Sequence, residues 1–133
     1  MLPTPEDHVA IRDLYARYCL SLDRADSEAW IALFTPDARF QVYGRVWEGR
    51  EGLRQMASAA PGGLHPGGAP QVELAGAGSA NVVRNLLFVP HDASATRRAL
   101  YEDELRRTPS GWRIASCRCR FITAEGLSER PPR

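Results

Sequence analysis

The sequence contains no lysine, so all 17 of its basic residues are arginines. Without a lysine amine, the chain cannot form a side-chain Schiff base, anchor pyridoxal phosphate or supply the lysine of a phosphate-binding loop. The glycine pairs at 62–63 and 67–68 lie in a proline-containing stretch with no helix predicted behind it, so they do not form a dinucleotide-binding fingerprint. These absences argue against nucleotide hydrolysis and imine chemistry.

The chain also lacks an excess of one charge and any long apolar run. Its net charge is +1, from 17 basic and 16 acidic residues that are interspersed, which gives no electrostatic footprint for nucleic acid or an anionic membrane. No segment approaches the roughly 20 apolar residues of a membrane span, and residues 1–7 lack the pattern of a secretion signal. We therefore expect a cytoplasmic protein that binds neither nucleic acid nor membrane.

Cysteine is scarce, with Cys19, Cys117 and Cys119 forming an odd set. Without a secretory context, this set does not indicate a disulfide framework, and we expect reduced thiols. Cys117 and Cys119 share one face of a predicted strand, but two thiols without histidine partners fall short of a metal site. We therefore predict no metal ion.

The 133 residues, 44% of them hydrophobic, are enough for one domain with a real core. Helical patterns come first, with Thr4 as the first N-cap, at 5–23, 26–34 and 49–60. Alternating patterns predict a short hairpin at 38–46 and strands at 71–75, 80–89, 96–106 and 112–121. This order predicts an α+β fold, in which three N-terminal helices pack on a curved, mainly antiparallel sheet.

We predict a single domain over 1–133, with an ordered core at about 5–122. The segment 124–133 has little to bury and is predicted to be a loose tail.

Asp23 and His65 are the candidate groups for moving a proton. Asp23 ends the first helix, about 100° around from the buried position of Leu22, and His65 lies in the loop before the first long strand. If the fold brings them together, they form a general base and its orienting carboxylate. Asp23 can equally end or cap a helix, and His65 beside Pro66 can equally be an ordinary loop residue.

Several large side chains are candidates for core or pocket wall, namely Tyr15, Trp30, Phe34, Trp47 and Phe88. Tyr18 fits the buried stripe of the first helix. Strict alternation on the last strand places Arg118 and Arg120 on one face with Trp112 and Ile114, opposite the two cysteines. These arginines can bind an acidic substrate group or form interface ion pairs, and we favour the structural role.

The order and spacing of several segments resemble the SnoaL-like branch of the nuclear transport factor 2-like superfamily. The segments are 11–26 with Trp30, 33–38, the Gly49/Gly52 pair, and 101–105 leading into 111–114. The resemblance implies a helix-lined cone with a bent sheet, a deep apolar pocket for a small hydrophobic ligand, and a homodimer built through the sheet.

Members that resemble this chain include scytalone dehydratase and the bile-acid 7α-dehydratase, which eliminate water without metal or organic cofactor. Tyr18, Asp23 and His65 look like the tyrosine, aspartate and histidine of the bile-acid enzyme, and Asp23 and His65 also look like positions in scytalone dehydratase. Two positions depart from the pattern, since Phe88 replaces a strand aspartate of the bile-acid enzyme and Asn85 a second histidine of scytalone dehydratase. The Asn85 amide could instead hold a substrate oxygen.

We predict a cofactor-independent lyase or isomerase, of dehydratase or cyclase type, for a small cyclic carbonyl or hydroxy compound of polyketide or steroid kind. His65, Asp23 and Tyr18 are its predicted catalytic residues. The predicted substrate-binding residues are Asn85, Tyr15, Trp30, Phe34, Trp47, Phe88 and Arg118. Two alternatives stay open. One is a non-catalytic binding protein with the same pocket, and the other is a structural subunit like the β subunit of ring-hydroxylating dioxygenases.

Overall fold

A computed structural model describes residues 2–132 as three helices and one sheet. The helices are α1 (Pro5–Asp23), α2 (Ser27–Ile31) and α3 (Gly49–Ala59). The strands are β1 (Phe34–Val42), β2 (Arg45–Glu48), β3 (Gly63–Leu64), β4 (Gln71–Gly76), β5 (Ser79–Pro90), β6 (Arg97–Thr108), β7 (Gly111–Thr123) and β8 (Gly126–Ser128). No helix among these residues has the length and apolar character needed to cross a bilayer.

The strands form one sheet in the order β2-β1-β7-β6-β5-β3, with β4 also paired to β5 and β8 to β7. Strands β1 and β7 run parallel, and the other neighbours run antiparallel. The predicted α+β fold, with N-terminal helices packed on a curved and mainly antiparallel sheet, is confirmed.

Helix α1 begins with a complete capping box. The Thr4 hydroxyl accepts from the Asp7 backbone N–H at 3.1 Å, and the Thr4 N–H donates to Asp7 Oδ2 at 3.0 Å. The other carboxylate oxygen of Asp7 accepts from the Arg107 guanidinium at 2.6 Å and from the Trp112 indole at 3.4 Å. Asp7 therefore both caps α1 and ties it to β6 and β7.

An aromatic core fills the space between α1, α2 and the sheet. The Tyr18 ring centroid lies 6.0 Å from that of Trp30, 6.2 Å from Phe34 and 6.4 Å from Tyr101. All four side chains are buried. Tilted and edge-to-face contacts of this kind add to the stabilisation that burial of the rings supplies.

Strand β1 begins earlier than predicted, at Phe34, because α2 ends at Ile31 rather than running on to residue 34. The register of β1 on β7 shifts between Phe34 and Arg39. Such an irregularity accommodates Pro36, which cannot donate a ladder hydrogen bond.

Two short strands lie where none was predicted. Strand β3 falls in the predicted loop and pairs Gly63 and Leu64 with Pro90 and Val89. Strand β8 falls in the predicted loose tail and pairs with the end of β7. The tail differs from the prediction because backbone pairing, rather than apolar burial, orders it.

A bulge in β7 changes which of its residues face the core. Cys117 pairs with Asp103 and Ile114 with Leu105, so the register shifts by one residue and leaves Ala115 as the extra one. Trp112 and Ile114 are therefore buried on the same side as the two cysteines. The strict alternation that placed them on the face of Arg118 is wrong.

Candidate functional site

Asp23 and His65 contact each other through one carboxylate oxygen. The His65 backbone N–H donates to Asp23 Oδ1 at 2.7 Å, and His65 Nδ1 lies 3.1 Å from the same oxygen. Asp23 is the last residue of α1, and His65 directly follows β3, whose pairing with β5 fixes its position. The structure thus brings together the end of a helix and a loop that are 42 residues apart in the sequence.

This contact also sets the protonation pattern of His65. An ionised carboxylate can only accept, so Nδ1 carries the hydrogen and Nε2 keeps a free lone pair. Burial lowers the pKa of His65 below 6.5, while the hydrogen bond and negative charge of Asp23 oppose this change. At pH 7 the imidazole is neutral, which is the form that a general base needs.

His65 lies on a cavity of about 110 Å³ between the helices and the inner face of the sheet. Most of the wall is aromatic or aliphatic. The lining residues that matter for the chemistry discussed below are Tyr18, Tyr43, His65, Phe88, Arg97 and Tyr101. A cavity of roughly 150 Å³ admits benzene in another protein. The space here therefore suits a ligand portion of about one ring.

A buried ion pair lies next to two of the cavity residues. Arg84 Nε lies 2.9 Å from Asp103 Oδ2, with the two side chains 3% and 0% exposed. The Arg84 guanidinium carbon is 4.2 Å from the Tyr18 ring centroid and 4.3 Å from that of Tyr101. Tyr15 completes the group, because its hydroxyl donates to Asp103 Oδ2 at 2.6 Å.

Tyr18 is a hydrogen-bond donor at neutral pH. Burial is the main cause that raises the pKa of its hydroxyl well above 10, and the positive charge of Arg84 opposes this only in part. The phenol therefore stays protonated. It can donate to an oxygen of a bound molecule but cannot serve as the base.

The family model of the SnoaL-like domain matches residues 3–118 of the chain. The chain belongs to the SnoaL-like domain family. The resemblance seen in the sequence is therefore confirmed.

Solved structures share the fold of this SnoaL-like domain. A protein of unknown function with a cystatin-like fold from Nostoc punctiforme is 25% identical, with a TM-score of 0.81 over 93% of this chain and 97% of that one. A protein of unknown function from Mycobacterium tuberculosis is 29% identical, with a TM-score of 0.73 over 85% and 74%. A hexachlorocyclohexane dehydrochlorinase from Novosphingobium barchaimii is 19% identical, with a TM-score of 0.76 over 96% and 90%. None of the curated proteins matches the chain in sequence.

The residues predicted to bind substrate in this SnoaL-like domain all lie within residues 2–132. Of these, only Phe88 lines the cavity. Trp30 and Phe34 lie in the core, with ring centroids 4.8 Å apart. Tyr15 is engaged with Asp103. Trp47 is half-buried on β2, where the Arg45 guanidinium carbon lies 3.7 Å from its ring centroid. These four side chains support the fold rather than the cavity wall.

Asn85 and Arg118 lie on the outer face of the sheet. Asn85 is exposed and alternates with Arg84 and Leu86, which are buried. Arg118 binds Glu129 at 2.6 Å. Because successive strand residues point to opposite faces, the predicted contact of either residue with a ligand in this cavity does not fit the structure.

The ion pair of Arg84 and Asp103 was not found from the sequence, although a signal existed. On β5, Arg84 occupies an inward position between Val82 and Leu86, and Asp103 falls in the same inward alternation on β6. A charge at an inward position requires an opposite partner. That pattern could have predicted the pair.

Cys119 lines the cavity as an unreactive thiol. Burial, as the main cause, raises the pKa of Cys119 to about 11, so the thiol is protonated at neutral pH. Within residues 2–132, no three His, Cys, Asp or Glu side chains cluster in a way that would hold a metal ion.

A larger groove of about 820 Å³ lies between α1, α2 and the turn from β6 to β7. Asp23, His65 and Tyr18 do not line it. The candidate site is therefore the smaller cavity, where His65, a candidate group for moving a proton, lies on an apolar wall.

Proposed function

We propose that this protein is a cofactor-independent lyase or isomerase that acts on a small cyclic carbonyl or hydroxy compound. The observation that carries the proposal is the contact of His65 with Asp23 on the wall of an apolar cavity. Burial, which lowers the pKa of His65, favours the neutral form that a base needs. A base held in this way typically accelerates proton transfer by about 10²–10⁴-fold.

In the proposed reaction, His65 Nε2 removes a proton from the carbon next to a carbonyl group. The electron pair of the broken C–H bond moves to the carbonyl oxygen, and Tyr18 donates a hydrogen bond to the resulting enolate. Asp23 stabilises the imidazolium through Nδ1. If a β-hydroxyl then leaves with the proton from His65, water is lost. If the proton returns at another carbon, the product is an isomer.

The dehydrochlorinase of the same fold supports elimination as a reaction class. Its name describes an elimination reaction on hexachlorocyclohexane, which is a cyclic compound. At 19% identity the likeness rests on the fold, so that substrate is not carried over to this chain.

Phe88 favours a second candidate, which is a binding protein without turnover. Its ring centroid lies 5.0 Å from that of His65, at the position where the bile-acid 7α-dehydratase has an aspartate. An apolar neighbour can help to hold a ring but cannot exchange a proton. In this candidate, His65 would contribute to ligand binding alone.

A ligand screen separates the two candidates. Thermal shifts of the wild type, His65→Gln and the remote control His8→Gln are measured with cyclic hydroxy-ketones, steroids and polyketide fragments, followed by mass spectrometry of incubated ligands. We expect a ligand that stabilises all three proteins but loses water or exchanges a proton in the wild type and His8→Gln only. A ligand that binds all three and remains unchanged would establish the binding protein instead.

A further inference from the structure

Arg97 is a second charged group on the cavity that contains His65. It is the first residue of β6 and pairs with Phe88 of β5. The Arg97 guanidinium carbon lies 5.8 Å from the Phe88 ring centroid, and the His65 ring lies 5.0 Å from the same centroid. A cation and the proposed base therefore share one aromatic wall.

The Arg97 guanidinium has no carboxylate within ion-pair distance among residues 2–132. Its side-chain hydrogen bond goes to the Tyr43 hydroxyl. The Oδ1 atom of Asp92 accepts from the backbone N–H and hydroxyl of Ser94 at 3.0 and 2.6 Å. These hydrogen bonds are the main cause that lowers the pKa of Asp92, and the positive charge of Arg97 contributes, but the side chains of Asp92 and Arg97 form no ion pair. Because a guanidinium has five N–H donors, Arg97 keeps donors for a bound molecule.

Tyr43 is held so that its hydroxyl can join Arg97 in binding. Its ring stacks on Phe121 with centroids 5.4 Å apart, and its backbone lies in the left-handed region with φ of 56°. That conformation is uncommon for a bulky residue and persists only where the surroundings impose it. The hydroxyl accepts from Arg97 and still has its own hydrogen to donate.

We propose that Arg97 and Tyr43 bind a carboxylate on the molecule that enters the cavity. The guanidinium geometry matches a carboxylate, and charge-assisted hydrogen bonds of this kind are about twice as strong as neutral ones. The apolar wall takes the ring. The ligand class is therefore a small ring compound with one acidic group, and its identity as a substrate rests on the function proposed above for His65.

The test compares binding of 3-oxocyclohexane-1-carboxylate with binding of its primary amide, which has the same shape and no charge. Affinities are measured by titration calorimetry for the wild type, Arg97→Gln, Tyr43→Phe and Arg98→Gln. Arg98 is the adjacent, exposed arginine and serves as the matched control. We expect the wild type and Arg98→Gln to bind the carboxylate about tenfold or more tightly than the amide. This preference is lost in Arg97→Gln and reduced in Tyr43→Phe.

Equal affinity for the two ligands, absence of carboxylate binding, or a preference that survives in Arg97→Gln would overturn the proposal. The proposed function is tested separately, by measuring proton exchange at the ring carbons of the same ketones. If exchange by the wild type is absent but the carboxylate preference depends on Arg97, the acidic-group site stands and the lyase or isomerase does not. If the wild type exchanges protons but shows no preference for the carboxylate, the lyase or isomerase stands and the acidic-group site does not.

Discussion

At the scale of single residues, burial and Asp23 act on His65 in opposite directions. Burial lowers the pKa of the imidazole, and Asp23 raises it through a hydrogen bond and its charge. We predict that Asp23→Asn lowers the pKa of His65 further, because burial, the largest effect, remains while the negative charge of Asp23 is removed. An NMR titration of the histidine ring protons measures this, with Asp13→Asn as an exposed control. An unchanged or higher pKa in Asp23→Asn would contradict the account.

The lowered pKa of His65 makes the stability of the protein depend on pH. Because the folded pKa of His65 lies below the unfolded value of about 6.5, the unfolded chain binds more protons in the interval between them. The free energy of unfolding should therefore fall as pH drops from 7 through that interval. Urea unfolding at a series of pH values should show a smaller fall for His65→Gln than for the wild type. Equal slopes in the two proteins would count against this assignment.

The pair of Arg84 and Asp103 makes a large difference to stability if one partner alone is removed. We predict that Arg84→Met lowers the free energy of unfolding by about 3–5 kcal/mol, since it leaves a buried carboxylate without its cation. Arg106→Met breaks an exposed pair with Asp37 and should leave the free energy of unfolding almost unchanged. Chemical denaturation measures both, and similar losses would show that Arg84 is not held as described.

Sequence reasoning proposed Tyr18, Asp23 and His65 as candidate site residues but did not point to Arg97. Tyr18 and Asp23 on α1, and His65 after α3, match residues of the family members that the chain resembles. Arg97 gave no such signal, because its place on the cavity depends on Tyr43, in the turn between β1 and β2, and on Phe88, its partner on β5. Cavity-lining groups that come from separate strands are recognisable only when the register of the sheet is known.

At the scale of elements, β3 positions His65. A Cβ at Gly63 would come within 2.8 Å of the Phe88 ring and would collide with the carbonyl oxygen of Val89. Gly63→Ala should therefore push β3 away from β5, move His65 relative to Asp23, and destabilise the protein by about 1–3 kcal/mol. Gly78→Ala is the control, since nothing lies within 4 Å of its added Cβ.

Thermal denaturation measures the loss of stability in Gly63→Ala, and the histidine titration reports whether the Asp23 contact is retained. A variant with the stability and His65 pKa of the wild type would show that β3 does not hold His65 in place. The bulge in β7 could not be predicted from the sequence either. One extra residue reversed the predicted face of Trp112 and Ile114, and nothing in local composition marks Ala115 as that residue.

At the scale of the whole molecule, the outer face of the sheet is the surface through which we propose that two copies associate. Val83, Leu87 and Val89 alternate on β5 and are 37%, 42% and 37% exposed. A row of exposed apolar side chains on one strand is typical of an interaction surface. We predict that the wild type sediments as a dimer and that Leu87→Glu shifts it to a monomer. Val9→Glu, on the exposed face of α1, should leave the mass unchanged, and a monomeric wild type would contradict the prediction.

The overall architecture was predictable because helical and alternating patterns occupy separate parts of the chain. The cavity was not, because its wall draws on α1 and on strands β1, β5, β6 and β7 at once. Its size depends on how the side chains of these elements meet, which periodicity does not describe.

We propose above that His65 removes a proton from a ring compound in the cavity. The most direct measurement is exchange of the protons next to the carbonyl of 3-oxocyclohexane-1-carboxylate and related cyclic ketones in D₂O, followed by NMR. We predict that the wild type and His8→Gln accelerate exchange of at least one of these ketones, and that His65→Gln lowers the rate by about 10²-fold or more. Equal rates for the wild type and His65→Gln would contradict it.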